Sequence, residues 1–218
     1  MTHAFDKEYW DRIWQGDHAV SMGAGQPNPH LERETGHLAP GTALDAGCGA
    51  GAEAVWLAAR GWRVTAADIA AGALARGAER AAASGVTERI QWVRADLSTW
   101  EPDARYDLVT THYAHPAMPQ LDFYDRIASW VAPGGTLLIV GHLHHDNHGS
   151  TAGHGHGQGH HGTEPPASAS ATAAGITARL DPAVWEVATA EESHRPLTGP
   201  GGRGVSLHDV VVRAVRRH

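Results

Sequence analysis

Residues Ala43 to Gly51 read "ALDAGCGAG": an apolar run, then an aspartate, then glycine at every second position. A turn that leads from a strand into a helix and brings its main chain close to a ligand cannot carry bulky side chains there. Glycine removes that obstruction. Free N–H groups at the start of the following segment, "AEAVWLAAR" (52–60), favour a negatively charged group in front of them. The stretch therefore predicts a first strand, a ligand-binding turn and a helix.

Outward from it the pattern repeats. Strand "WRVTAADI" (62–69), helix "AAGALARGAERAAAS" (70–84), strand "IQWVRADL" (90–97) and strand "YDLVTTHY" (106–113) follow in order. Helix "LDFYDRIASWV" (121–131) comes next, and Pro133, Gly134 and Gly135 are expected to end it and turn the chain into strand "TLLIVGH" (136–142). Alternating strands and helices predict a parallel sheet covered on both faces. The last two β-like runs, "VWEVATAEES" (184–193) and "HDVVVRAVRR" (208–217), are joined without a helix, which predicts an antiparallel pair. The fold class is thus α/β: a Rossmann-like doubly wound sheet, mostly parallel, of seven strands.

Composition narrows the options. At 218 residues, 42% hydrophobic and 19% charged, the chain is read as a single domain, 1–218. The absence of a long apolar run predicts no membrane association and a cytoplasmic location. One cysteine, Cys48, excludes an internal disulfide, and a formal net charge of −7 argues against nucleic-acid binding.

Two cofactor classes could use the glycine turn. Gly47, Gly49 and Ala52 fit the dinucleotide fingerprint G-x-G-x-x-A, and Asp68, 23 positions beyond Asp45, could hold ribose hydroxyls in either class. Asp45 discriminates, since a carboxylate repels a pyrophosphate and attracts an ammonium. Asp96, at the end of the third strand, suits an adenine amino group.

Taken together, "LDAGCGAG", "VTAADI", "VRADL" and "PGGTLLIV" resemble the successive motifs of class I S-adenosylmethionine-dependent methyltransferases, from about Thr42 to Val140. The resemblance implies that Asp45 and the turn Gly47, Cys48, Gly49 and Gly51 surround the methionine part of S-adenosylmethionine. It also implies that Asp68 binds the ribose, Ile69 packs on adenine, and Asp96 with Leu97 holds its edge. "FDKEYWDRIW" places Phe5, Tyr9, Trp10, Ile13 and Trp14 on helical spacing and resembles the lid helix of small-molecule methyltransferases of the thiopurine and tellurite-resistance branch. Residues 1–41 are read as that lid segment, with Trp14 against the cofactor, because a sulfonium attracts aromatic faces.

Ligands of open α/β sheets sit beyond the carboxyl ends of the strands. His112, Tyr113, His115 and His142 occupy those positions after the fourth and fifth strands and are the candidate catalytic residues. They could serve as a proton acceptor, as metal ligands or as polar lining. Eight of the seventeen histidines fall between His142 and His161. Residues 142–175 are read as a flexible His- and Gly-rich insertion with incidental transition-metal affinity and no resident metal site. The expected function is methyl transfer to a small-molecule acceptor through oxygen, sulfur, selenium or tellurium. The rivals are a nicotinamide-dependent oxidoreductase and a metal-handling protein on the same fold.

Overall fold

A computed structural model describes residues 5–15, 25–143, 170–198 and 204–218. Most of the histidine-rich tract, 144–169, and part of the N-terminal segment lie outside them. The elements are α1 (Lys7–Gln15), α2 (Pro29–Thr35), β1 (Thr42–Ala46), α3 (Ala52–Ala59), β2 (Arg63–Asp68), α4 (Ala71–Ala83), β3 (Ile90–Arg94), β4 (Tyr106–His112), α5 (Gln120–Ser129), β5 (Val131–His142), α6 (Ala173–Thr177), β6 (Trp185–Thr198) and β7 (Gly204–Arg216).

The seven strands lie in the order β3-β2-β1-β4-β5-β7-β6. Pairs among β1 to β5 are parallel, and β7 runs antiparallel to both β5 and β6. The switch point falls between β1 and β4, where two neighbouring connections leave toward opposite faces and open a crevice at the carboxyl ends. Both faces are covered, so the central strands are almost continuously buried. Leu44, Val109, Leu137 and Ile139 pack under α5 and α6, while Ala43, Leu108, Leu138 and Val140 pack under α2, α3 and α4. Period-two alternation thus feeds two cores at once. Among the described residues, no helix is long and apolar enough to cross a membrane.

Three sequence-based expectations change here. Helix α5 stops at Ser129, with Trp130 as its cap, before the Pro-Gly-Gly run. Val131 already pairs with Tyr106, and the register shifts before Thr136 joins Leu108. Pro133, Gly134 and Gly135 therefore form a bulge inside β5, where Gly134 takes φ +77°. The end of the 142–175 insertion is packed structure: Ala171 and Ala173 are buried, and Thr172 caps α6 by accepting from the Gly175 amide. The third strand ends at Arg94, so Asp96 sits in the following turn, where it accepts bonds from the Ser98 amide and hydroxyl.

Candidate active site

The turn after β1 is stitched to β2. The amides of Gly47 and Cys48 both donate to the Ala67 carbonyl, at 2.9 and 3.1 Å. Asp68, the last residue of β2, accepts from the Gly49 amide at 2.9 Å and the Ala70 amide at 2.8 Å. Burial pushes the Asp68 carboxyl up, and those amides offset only part of the rise. Gly47 has φ +81°, and a Cβ on it would meet the Ala114 methyl at 2.3 Å. Only glycine lets the β4–α5 loop come so close to the turn.

A cavity of about 520 Å³ opens above this turn. Its floor carries Gly47, Cys48, Gly49, Asp68, Ile69, Asp96 and Leu97, seven of the predicted cofactor residues. Trp14 forms part of the roof and lies against Gly49. Cys48 is buried, and burial first, then Asp68 and Asp45, push its thiol well up, which leaves it unreactive.

Two predicted contacts are absent from the cavity wall. Asp45 is 1% exposed and lies beneath the turn, with Oδ2 lacking any hydrogen-bond partner. Burial, then the nearby Glu53 and Asp68, push its carboxyl well up. Gly51 faces the opposite way: a Cβ there would strike the Trp92 ring at 2.4 Å, so its glycine makes room for a core tryptophan and not for a ligand.

The roof comes from the N-terminal segment. Phe5, Trp10 and Trp14 line the cavity, and the Trp10 indole N–H donates to the His115 carbonyl at 3.2 Å. The Phe5 ring lies 5.4 Å from the His115 ring. Residues 25–29 form a strap along one side. Its Asn28 amide donates to Glu53 Oε1 at 3.0 Å, and the Asn28 side chain caps α2 by accepting from the His30 amide.

The four candidate catalytic residues divide. His112 and His115 line the cavity. Burial outweighs the opposing Glu53 charge and, with a smaller push from His30, holds the His112 imidazole below its ordinary range, and its buried Nε2 has no partner. Tyr113, also on the wall, takes φ +56° and sends its hydroxyl into a polar cluster. That hydroxyl donates to Asp209 Oδ1 at 2.8 Å and accepts from Asn28 and Arg195, each at 3.0 Å. Burial and then Asp209 push the phenol far up, and the hydroxyl's bonds are made within this cluster. His142 is not among the wall residues; it stacks on the Tyr113 ring. Burial alone would raise the Asp209 carboxyl, but bonds from His30, Arg195 and Tyr113 outweigh it and hold it well below the carboxylate range. Among the described residues, no group of three or more His, Cys, Asp or Glu is arranged to hold a metal.

Sequence reasoning missed Asn28, Glu53 and Arg195. Asn28-Pro29 carries a readable signal, an N-cap followed by proline at the first helical position. Glu53 sits in the first turn of α3, next to the glycine run. Arg195 comes from β6, and nothing local to it announces that the hairpin folds back to the cavity.

Residues 43–135 match the family described as Methyltransferase domain. Over 137 residues the chain is 28% identical to a probable thiol methyltransferase 2 of Arabidopsis thaliana, covering 60% of each chain. Over 99 residues it is 40% identical to an uncharacterized methyltransferase of Mycobacterium tuberculosis, covering 44% of this chain and 48% of that one. The chain thus spans less than two thirds of the length of these relatives. In three dimensions it is similar to TehB from Haemophilus influenzae, with TM-score 0.67 and 15% identity over 97% of this chain and 67% of that one.

Proposed function

We propose, from the match of residues 43–135 to the family described as Methyltransferase domain, that the chain is a class I S-adenosylmethionine-dependent methyltransferase and moves a methyl group to a small nucleophile through oxygen, sulfur, selenium or tellurium. The thiol-directed name of one relative agrees with such an acceptor. The G-x-G-x-x-A match is then part of the methyltransferase turn.

The observation that carries this reading is the build of the cavity: acids and a bare glycine turn below, three aromatic rings above. Asp68 and Asp96 suit ribose hydroxyls and an adenine edge, with Ile69 and Leu97 as the apolar walls. Glu53 supplies negative charge near a methionine ammonium from the wall, and Asp45, whose charge burial disfavours, gains it when such a cation binds above the turn. The partnerless, buried Asp45 Oδ2 fits a site completed by a cation. S-adenosylmethionine, when bound, supplies a methyl group on a positively charged sulfur.

The chain's own residues do the rest. Phe5, Trp10 and Trp14 exclude water and line the cavity with aromatic rings, whose faces attract positive charge. Their roof over a cavity of about 520 Å³ leaves room for a small acceptor beside the cofactor. His115 accepts the proton of an acceptor that arrives protonated, and His112, kept neutral by burial, lines the path. Arg195 places a positive charge on the same wall and favours anionic acceptors. Holding the nucleophile in line supplies much of the acceleration in such a displacement.

Isothermal titration with S-adenosylhomocysteine and, separately, NADH tests the cofactor half of the reading. Binding of NADH alone overturns it. A panel of thiols, phenols and chalcogen oxyanions, scored by S-adenosylhomocysteine release, tests the acceptor half. No release with any member overturns the small-acceptor reading.

A further inference from the structure

His115 and Gln120 are five residues apart, on either side of the turn that enters α5. Both are buried, at 7% and 4% exposure. His115 Nδ1 lies 3.2 Å from Gln120 Oε1. The other end of the amide is fixed independently, because Gln120 Nε2 donates to the Ala114 carbonyl at 3.0 Å. A carbonyl oxygen only accepts, so the amide cannot turn its N–H₂ toward Ala114 and also offer a donor to the imidazole. Burial pushes the neighbouring Tyr124 phenol up to about 12, and its bond with Gln120 pulls the other way.

We infer that Gln120 is a positioning residue that locks His115 in one neutral tautomer, with the proton on Nδ1 and the lone pair on Nε2. Two further contacts hold the ring and its backbone: the Phe5 ring, and the indole N–H of Trp10 on the His115 carbonyl. Nε2 is itself buried in the structure, so an acceptor has to displace what covers it; the imidazole then takes a proton at one defined atom, with no tautomer exchange beforehand. Transfer moves the acceptor's proton to Nε2, and Gln120 Oε1 keeps accepting from Nδ1–H in the imidazolium. The catalytic consequence rests on the reading of His115 as proton acceptor; the tautomer assignment does not.

Among the described residues, titratable groups around the ring include His142, with its centroid 6.2 Å away, Tyr113 stacked upon His142, and Tyr124 behind Gln120. His112, Glu53, Asp68, Asp96 and Arg195 share the cavity wall. Gln120→Glu keeps the shape and puts a carboxylate on Nδ1–H, which favours the imidazolium. It is expected to raise the His115 titration midpoint by about 1–3 pH units.

The test is imidazole nitrogen NMR on the full chain, with the His115 signals identified by their loss in His115→Asn. The expected result is a protonated Nδ1 and a bare Nε2 in the native protein, exchange between tautomers in Gln120→Leu, and the raised midpoint in Gln120→Glu. A proton on Nε2, or averaging in the native protein, overturns the inference, and so does an unmoved midpoint in a Gln120→Glu protein that still binds S-adenosylhomocysteine. Should the Gln120 variants not fold, the native tautomer decides alone. The low-pH limb of kcat in Gln120→Glu is expected to move with the midpoint while cofactor KM stays unchanged. If the NMR result holds and that limb does not move, His115 is not the proton acceptor, and the assignment of Gln120 still stands.

Discussion

Tyr113 and His142 stack ring on ring, with centroids 4.0 Å apart and planes 14° from parallel. One residue follows β4 and the other ends β5, so the stack joins the tips of two parallel strands. The left-handed φ of Tyr113, costly for a residue with a side chain, is held by this stack and by its hydroxyl's three bonds.

Removing only that hydroxyl separates the two restraints. Tyr113→Phe keeps the stack and leaves buried Asp209 without one donor, with Asn28 and Arg195 each missing an acceptor. Stability is expected to fall by about 1–3 kcal/mol, the cost of unpaired buried polar groups. Urea denaturation measures it; a change under about 0.5 kcal/mol, the range of an ordinary surface substitution, would show the cluster to be weakly coupled.

The buried Asp45 carboxyl gives a pH dependence of definite sign. Its folded pKa lies above the unfolded value, raised by burial and then by Glu53 and Asp68. Its contribution to stability is therefore fully present below the unfolded pKa of about 3.9 and is lost as pH rises through the folded pKa. Asp45→Asn, neutral throughout, is expected to be more stable than the native protein at pH 7 and not at pH 3.5. The same variant should bind S-adenosylhomocysteine more weakly. Thermal scans at both pH values check the first point and calorimetry the second.

Gly51 carries two separable strains for any larger residue, φ +68° and the Trp92 ring. Gly51→Ala is expected to lose about 1–2 kcal/mol for left-handed backbone and a further ~1–3 for overpacking. Adding Trp92→Leu should recover the packing part only. A double-mutant cycle by chemical denaturation would contradict this if the two changes simply add.

Asp68 carries a role in the free protein and a second toward the cofactor. Asp68→Ala releases the Gly49 and Ala70 amides and removes the proposed ribose contacts. Calorimetry should show S-adenosylhomocysteine affinity falling by about 1.5–3 kcal/mol, as for bonds to a charged group. Unchanged affinity would place the ribose elsewhere.

The sequence displayed the site unevenly, for physical reasons. Near β1 and β2, chemistry and local structure coincide: one glycine turn, one strand, one acid at its end. Elsewhere the determinants are distant in sequence. Gly51 reads as part of a ligand loop until Trp92 is seen against it. The "PGG" run reads as a helix terminator because proline and glycine also mark bulges. Asp209 reaches Tyr113 through the β5–β7 register, in which His142 faces Asp209, and Arg195 through the β6–β7 register, in which it faces Leu207; pairing of that kind leaves no trace in a linear pattern.

The strand order β5-β7-β6 also governs how the molecule is assembled. β6 is synthesised before β7, yet β7 lies between it and the rest of the sheet. Until β7 arrives, β5 is an open edge and β6 has no neighbour to join, so these long-range pairings close late. Asp209 enters with β7, and with it the partner that Tyr113, Arg195 and His30 share. A nascent chain can thus lay down the glycine turn and its acids early, while the polar anchor beside them waits for the sheet to be completed.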